Sequence, residues 1–400
     1  MTRHTPQPWI TCGQPAPPKK PAAPRAQTKR LLVIGATGVF GGRFAEHIVN
    51  DHRFRLILAS RELARATKAA ATLSAQAGRR VEAVALQPGR TFARDMARLA
   101  PWGVINCAGP FRAGGIEIAS AALDAGAHYV DIADSPAYLR GFRDALNRRA
   151  RAARLSAVAG ASSTPALSAA VAADLTQDLR SVEAITLAIA PGGQGAVGTA
   201  VIQGILGYAG AGIPAWRDGT LQSVTGWLGA SRLQIGPLPP RRAVPVETFD
   251  AELLGPRHRV SGEVTFRAAL ESRVEQIAVE FLARGRQRGW FANLPRLAPA
   301  LARLRGLTRL GLSDRGGMQV SVAGRDAAGA RVRRDWSLVA ERGHGPYVPI
   351  LPAAAAIKAI AENRIGRGAK LASDALTLEE IEREMRRYSL SVSPRHGLGP

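Results

Sequence analysis

The sequence is poor in cysteine and has no long apolar run. Cys12 and Cys107 are the two cysteines among 400 residues, too few for a disulfide framework and compatible with a reducing cytoplasm. No apolar stretch approaches the ~20 residues that a membrane-spanning helix needs. The first residues are polar and rich in proline, without the apolar core of a secretory signal. These absences predict a cytoplasmic protein.

Acidic residues are scarce relative to basic ones. The chain has 54 lysines and arginines against 31 aspartates and glutamates, which gives a formal net charge of +23. The arginines are spread over the whole sequence, and no compact basic block is interleaved with aromatic residues. We therefore expect no nucleic-acid partner, whereas an acidic substrate or an anionic surface would fit the charge. Residues 1–28 hold many prolines and no acidic residue, which predicts a disordered basic tail.

After this tail, strand-like segments alternate with helix-like segments. The alternation is typical of a doubly wound parallel (Rossmann) sheet, here predicted over residues 29–160. Its strands are predicted at 31–35, 55–60, 81–86, 103–106, 128–132 and 155–158.

The pattern changes after this domain. Alternating polar and apolar residues around a glycine-containing turn predict a hairpin over 318–340. The predicted fold class is therefore α/β, with a parallel sheet and an inserted mixed α/β, largely antiparallel second domain over 161–350. Residues 351–390 are predicted to form helices that return to the first domain, and Thr377 with Glu380 forms a capping box there.

Three glycines at a spacing of three residues follow the first predicted strand. The first permits a tight turn, the second lets the backbone approach a pyrophosphate, and the third lets helix and strand pack closely. The helix that follows presents unpaired N–H groups and a partial positive charge to an anion. The residues predicted to bind a dinucleotide here are Gly35, Thr37, Gly38, Val39, Phe40 and Gly41.

The end of the second strand selects between NAD and NADP. An acidic residue there binds the ribose 2′-hydroxyl of NAD, whereas arginine accommodates the 2′-phosphate of NADP. The strand ends in Ser60 and Arg61, and no carboxylate occurs before Glu62. This favours NADP, with NAD as the alternative cofactor. Arg61 could instead only cap or solvate the start of the next helix.

The fourth predicted strand leads into a loop at the same edge of the sheet. Asn106, Ala108 and Gly109 are predicted to contact the cofactor, since ligands lie outside the carboxyl ends of such strands. Phe111 could form an apolar wall near the nicotinamide, or merely belong to a loop stiffened by Gly-Pro. Cys107 is interpreted as a packed residue, because no His or Lys lies nearby in sequence.

Taken in order, several motifs resemble those of the saccharopine dehydrogenase-like oxidoreductases. They are GATGVFGGR, a strand ending in Ser-Arg, INCAGPF, HYVDIAD and GASSTPALS. Two later segments, 217–219 and 344–349, are similar to parts of that family's second domain. The resemblance implies an NAD(P)-binding domain, an inserted substrate domain and frequent dimerisation.

The fifth strand departs from the family pattern and supplies candidates for chemistry. Relatives commonly show Tyr-x-Asp-x-x-Gly-Glu, whereas here Asp131 is followed by Asp134 and Ser135. Asp131 could orient the backbone or a partner side chain, and Asp134 could exchange a proton if burial raises its pKa. Capping of the helix that starts at Pro136 is the competing role for Asp134 and Ser135.

His344 and Tyr347 are a second pair of candidate catalytic residues. They lie in a loop constrained by glycine and proline, where histidine could carry a proton and tyrosine could donate to a carbonyl. A structural role is the alternative for this histidine. No His, Cys, Asp and Glu spacing resembles a metal site.

A basic amphipathic segment over 284–310 suggests a further partner. Its arginines and aromatic residues could contact an anionic membrane, but two short helices packed on the second domain or across a homodimer are favoured. The sequence thus predicts an NADP-dependent oxidoreductase that acts on a small-molecule or lipid-like substrate. The rival function is a non-catalytic nucleotide-binding protein that recruits a membrane or protein partner through this segment.

Overall fold

The computed structural model describes most of the chain from residue 28 onward. The predicted basic tail apart from residue 28, and the last two residues of the basic segment, 309 and 310, lie outside the described part. The described residues are 28–109, 111, 115–195, 199–308, 311–393 and 396–398.

The first domain alternates strands and helices, as the sequence predicts. Leu31, Leu32 and Val33 are fully buried, because helices cover both faces of the sheet. The strands are β1 (Lys29–Ile34), β2 (Phe54–Ser60), β3 (Glu82–Ala85), β4 (Gly103–Asn106), β5 (His128–Asp131) and β6 (Ser156–Ala159). The helices are α1 (Val39–Ile48), α2 (Leu63–Ala77), α3 (Phe92–Leu99), α4 (Glu117–Asp124) and α5 (Pro136–Ala152).

The second domain is a mixed sheet with helices packed on it. Its strands are β7 (Ser181–Ala190), β8 (Gly212–Arg217), β9 (Thr220–Thr225), β10 (Ser231–Leu233), β11 (Arg241–Pro245), β12 (Glu263–Ala268), β13 (Gly316–Arg325) and β14 (Arg331–Ala340). Its helices are α6 (Ser168–Thr176), α7 (Thr199–Tyr208), α8 (Asp250–Arg257), α9 (Arg273–Gln287) and α10 (Ala298–Thr308). The predicted hairpin is β13–β14, and β7 pairs antiparallel with β13 but parallel with β12. This confirms the predicted fold class.

The C-terminal segment contributes to both sheets. It contains α11 (Leu351–Ala361), β15 (Gly368–Leu371), α12 (Leu378–Met385), β16 (Leu390–Val392) and β17 (His396–Leu398). Strand β15 pairs parallel with β6, so the order of the first sheet is β15-β6-β5-β4-β1-β2-β3. Strands β16 and β17 pair with β14 of the second sheet.

The sequence missed β15, which makes the parallel sheet seven-stranded rather than six-stranded. Its sequence, Gly-Ala-Lys-Leu, is short and lacks β-branched residues, so no strand pattern is visible. Pairing with β6 makes it a strand. The predicted capping box at Thr377 and Glu380 is confirmed, with both reciprocal hydrogen bonds formed at the start of α12.

Candidate cofactor site and interdomain crevice

The glycine loop between β1 and α1 has the close packing that the motif predicts. Gly35 has φ +77°, and a Cβ there would lie 3.0 Å from the backbone nitrogen of Ala108. A Cβ on Gly41 would lie 2.2 Å from the carbonyl oxygen of Gly35, which only glycine avoids. The first turn of α1 is therefore pressed directly against the end of β1.

The N-terminus of helix α1, where the sequence predicts a phosphate, has no side-chain cap. The helix begins at Val39, directly after the second glycine of the motif. The N-cap is Gly38, which has no side chain, so no capping group competes for the N–H groups of Val39 and Phe40. These donors and the positive end of the helix dipole are suited to a phosphate.

The end of β2 lies beside this loop. The Thr37 hydroxyl donates to the Ser60 hydroxyl oxygen over 3.4 Å, so the two predicted residues lie together. Arg61 is exposed, and the N-cap of α2 is Glu62, which makes no side-chain capping bond. Arg61 therefore follows β2 at the edge where the sequence predicts a 2′-phosphate.

An open pocket of about 450 Å³ lies between α1 and α2. Thr37 and Gly38 line it on the loop side, and Arg65 and Lys68 line it on the α2 side. The sequence interpretation did not include these two cations. A signal for them exists, because Arg65 and Lys68 are three residues apart and therefore share one face of α2, shortly after Arg61.

Asn106 is a positioning residue at the end of β4. Its side chain is buried, donates to the Tyr129 hydroxyl over 3.0 Å and accepts from the Ala108 N–H over 3.0 Å. Ala108 and Gly109 are exposed at the carboxyl edge of the sheet. Asn106 thus fixes the loop that would face a cofactor, while Ala108 and Gly109 expose backbone there. Burial raises the pKa of the neighbouring Cys107 thiol, which keeps it protonated.

Asp131 is fully buried, and both of its carboxylate oxygens accept hydrogen bonds. One carboxylate oxygen accepts from the backbone N–H groups of Ala133 and Gly160, and the other accepts from the Tyr138 hydroxyl over 2.7 Å. Burial raises the pKa of Asp131 to about 6 despite these hydrogen bonds. The contacts fit the sequence interpretation that Asp131 orients backbone and a partner side chain, here at the ends of β5 and β6. Its catalytic role stays a prediction.

Asp134 lies in a crevice between the two domains. Its side chain keeps solvent access, yet crowding by protein atoms raises the pKa of the carboxyl. Burial also raises the pKa values of Tyr208 and Glu247 in the second domain, and the negative charge of Asp134 adds to both shifts. Ser135 occupies the N-cap of α5 without a capping hydrogen bond.

The second domain approaches this crevice through the segment that contains Glu247. Phe249 packs into the apolar cluster beneath α5, and Arg140 of α5 forms an ion pair with Glu252 of α8 at 2.8 Å. Tyr208 and Glu247 were missed by sequence reasoning. Each is an isolated residue with no motif around it, so the sequence carries no signal for them.

His344 and Tyr347 lie against α1 instead. Tyr347 donates to a Glu46 carboxylate oxygen at 2.5 Å, and the Nδ1 atom of His344 accepts from the Ser389 N–H. Arg43 lies over the Tyr347 ring at 5.0 Å. The described contacts of this pair do not join it to Asp131, so the structure does not assemble the four predicted catalytic residues into one cluster. Their catalytic role also stays a prediction.

A buried polar cluster behind α1 was not predicted. His47 bonds Glu384 of α12 at 2.7 Å and the Tyr388 hydroxyl at 2.6 Å, and Lys358 of α11 donates to Glu384 at 2.6 Å. Burial lowers the pKa of His47. Burial would raise the pKa of Glu384, but the hydrogen bonds from His47 and Lys358 lower it. These bonds connect the C-terminal segment to α1, the helix whose N-terminus is the predicted phosphate site.

Two further features concern metals and membranes. Among the residues that the structure describes, no group of three or more His, Cys, Asp and Glu side chains could hold a metal ion. Within the same residues, no helix has the length and apolar character required to cross a bilayer.

Comparison with known proteins bears on this site. Residues 31–159 match the family model of the saccharopine dehydrogenase NADP binding domain. The chain therefore carries an NAD(P)-binding domain, and the resemblance to the saccharopine dehydrogenase-like family is confirmed. Apo saccharopine dehydrogenase (L-Glu forming) from Saccharomyces cerevisiae has the same fold, with a TM-score of 0.64 and 15% identity over 92% of this chain and 100% of that one.

A curated relative matches a smaller part of the chain. The lipid droplet localized protein of Caenorhabditis elegans is 28% identical over 128 residues. The match covers 30% of this chain and 30% of the relative's length. It therefore shows likeness over one segment, not over the whole protein.

Proposed function

We propose that this protein is an NADP-dependent oxidoreductase of the saccharopine dehydrogenase-like type. The observation that carries the proposal is the junction of the glycine loop with the end of β2. There, the uncapped N-terminus of α1 lies beside Thr37, Ser60 and Arg61. The matched NADP-binding domain and the saccharopine dehydrogenase fold support an oxidoreductase.

The residues divide the work between binding and proton handling. The nicotinamide cofactor, when bound, would supply or accept the hydride. The N–H groups of Val39 and Phe40 would hold the pyrophosphate, and Arg61 would pair with the 2′-phosphate. Asp134 is suited to hold or release a proton, since its carboxyl is accessible and its pKa is raised. Asp131 holds the ends of β5 and β6 in place.

The substrate we propose is a small molecule or a lipid-like compound bound in the interdomain crevice. We also propose a cytoplasmic homodimer without a nucleic-acid partner. The low cysteine count supports the cytoplasm, the dispersed arginines argue against nucleic acid, and the homodimer follows from the family resemblance. The alternative function is a nucleotide-binding protein without catalysis. It is favoured by Asp131, whose carboxylate oxygens are both hydrogen-bonded within the protein.

Titration with NADPH and NADH tests the cofactor. We expect NADPH to bind more tightly than NADH to the wild type, and Arg61→Ala to weaken NADPH selectively by about tenfold, as for loss of one charge-assisted phosphate contact. Arg94→Ala, at an exposed arginine of α3, is the matched control and should bind as the wild type does. Failure of both nucleotides to bind would remove the proposal.

Turnover separates the enzyme from the rival. With carbonyl, imine and enoyl compounds as trial substrates, an enzyme should oxidise bound NADPH, and Asp134→Asn should slow turnover while NADPH binding is unchanged. Binding of NADPH without turnover on any of these compounds would favour the nucleotide-binding protein.

A further inference from the structure

Helix α9 has a stripe of apolar side chains that faces solvent. Val274, Ile277 and Phe281 recur at intervals of three and four residues, and their exposures are 70%, 61% and 54%. Trp290, just after the helix, is 56% exposed, and its ring centroid lies 6.3 Å from that of Phe281. An ordinary surface helix turns such a stripe toward the core.

The inward face of the same helix carries two buried polar side chains beside the apolar residues that pack on the core, Val279, Leu282 and Ala283. Gln276 and Glu280 are buried, and Glu280 accepts two hydrogen bonds from the Arg242 guanidinium, at 2.8 and 2.9 Å. Gln276 accepts from the Leu270 N–H and donates to Glu280. These directed bonds fix the rotation of α9, so its apolar stripe is held outward.

The turn after α9 extends the stripe. Gly285 lacks a side chain, and a Cβ there would lie 2.4 Å from the Phe291 ring, so the chain folds back onto the helix. The Trp290 N–H donates to the Gly285 carbonyl at 2.9 Å. Arg288 lies over the Trp290 ring at 5.2 Å. Four exposed apolar side chains thus form one surface, which we name the α9 face and which consists of Val274, Ile277, Phe281 and Trp290.

The solvent-exposed charges around the α9 face are all positive. Arg273, Arg284 and Arg288 are exposed, whereas both acidic residues of the helix point away from solvent. Glu280 is buried on Arg242, and Glu275 lies beside Arg305 of α10. The exposed side of α9 therefore presents apolar groups bordered by arginines and no carboxylate.

We propose that the α9 face docks the protein on an anionic lipid surface. Apolar side chains, a tryptophan and bordering arginines are the chemistry of a helix that lies in a lipid interface. A second copy of the chain fits less well, because apposed α9 faces would bring arginine against arginine without a carboxylate to pair. Residues 1–27 of the same chain also fit less well, because they are basic and would be repelled by the arginines around the α9 face.

The α9 face differs from the basic segment 284–310 in two respects. The apolar stripe begins at Val274, upstream of the predicted segment 284–310, and that segment is only partly exposed, since Leu294 is buried. None of the four residues of the α9 face belongs to the candidate cofactor site, so the inference does not depend on the proposed catalysis.

Vesicle co-sedimentation tests the proposal. We expect the wild type to bind vesicles that contain phosphatidylglycerol and phosphatidylcholine, and to bind phosphatidylcholine alone at least about tenfold more weakly. Ile277→Ser with Phe281→Ser should lower binding about tenfold or more. Arg273→Gln with Arg288→Gln should lower it about fivefold for each arginine, and added salt should reproduce this loss.

Leu221→Ser is the matched control, at an exposed leucine of β9 outside the α9 face, and it should bind vesicles as the wild type does. Thermal unfolding and NADPH titration verify that each variant is folded. The proposal is overturned if the wild type does not bind anionic vesicles, or if the α9 variants bind them equally well. Light scattering measures the oligomeric state. The proposal is also overturned if the wild type is a dimer that the double variant Ile277→Ser with Phe281→Ser dissociates.

Discussion

At the scale of single residues, Gly41 is the position most sensitive to one added methyl group. Its Cβ would lie 2.2 Å from the Gly35 carbonyl oxygen, and neither backbone can move without displacing the glycine loop. We expect Gly41→Ala to lower the free energy of unfolding by about 1–3 kcal/mol through overpacking. It should also weaken NADPH binding. Thermal unfolding and NADPH titration measure the two effects.

Gly42→Ala is the matched control for this prediction. It lies in the same helix, but its Cβ would meet the Ala36 carbonyl oxygen at 3.5 Å, an ordinary contact. Alanine has the higher helix propensity, so Gly42→Ala should be neutral or stabilising by up to about 1 kcal/mol. Equal effects of the two substitutions would contradict the packing role of Gly41.

His128 makes stability depend on pH. Burial lowers the pKa of His128 to about 4, helped by the charges of Arg367 and Lys29, and its Nδ1 atom accepts from the Ser156 N–H. In the unfolded chain, His128 is therefore protonated near pH 6.5, whereas in the folded protein it is protonated only near pH 4. Stability is retained above pH 6.5 and is lost as the pH falls through this window, by about 3 kcal/mol.

Denaturant unfolding between pH 7 and pH 4 tests this prediction. His128→Asn keeps an acceptor for the Ser156 N–H but cannot take up the proton, so its stability should fall less steeply with acidification than that of the wild type. His52→Asn, at an exposed histidine, should keep the wild-type slope. If His128→Asn kept that slope as well, the buried histidine would not be the cause.

At the scale of elements, α12, which carries Glu384 to His47 of α1, begins with a capping box. Thr377 accepts from the Glu380 N–H at 3.3 Å, and Glu380 accepts from the Thr377 N–H at 3.0 Å. Thr377→Ala should lower the free energy of unfolding by about 1 kcal/mol. Thermal unfolding measures this loss. Glu379→Gln changes an exposed side chain of the same turn and should have a smaller effect.

Elements differ in how far the sequence predicts them. The β1–α1 unit was predictable because its glycines, apolar run and helix all lie within one continuous segment. Strand β15 was not, since only its pairing with β6 makes it a strand. The orientation of α9 also escaped prediction, because Arg242 lies on another element and turns Glu280 inward.

At the scale of the whole molecule, the first sheet is completed by a strand from the far end of the chain. Removal of residues 366–400 deletes β15 and α12, which exposes the edge of β6 and leaves His47 without Glu384. We expect this truncated protein to lose NADPH binding and cooperative unfolding. Circular dichroism and NADPH titration measure both.

Removal of residues 1–27 is the corresponding control. It deletes none of the described strands and helices, so NADPH binding and the unfolding midpoint should stay close to those of the full chain. Retention of NADPH binding after removal of 366–400 would show that the first domain does not need its seventh strand.

In the candidate site, too, some features depend on residues that are close in sequence and others on residues that are far apart in sequence. The sequence by itself determined the parallel domain and the glycine loop, because turn, phosphate approach and helix start depend on neighbours in the chain. It also placed Ser60 and Arg61 at the end of a strand. The tertiary structure decided what those neighbours cannot fix: the engagement of Asp131, the crevice that joins Asp134 to Glu247, and the outward apolar face of α9. Burial and pairing of these groups depend on residues tens to hundreds of positions away, which only the folded chain brings into contact.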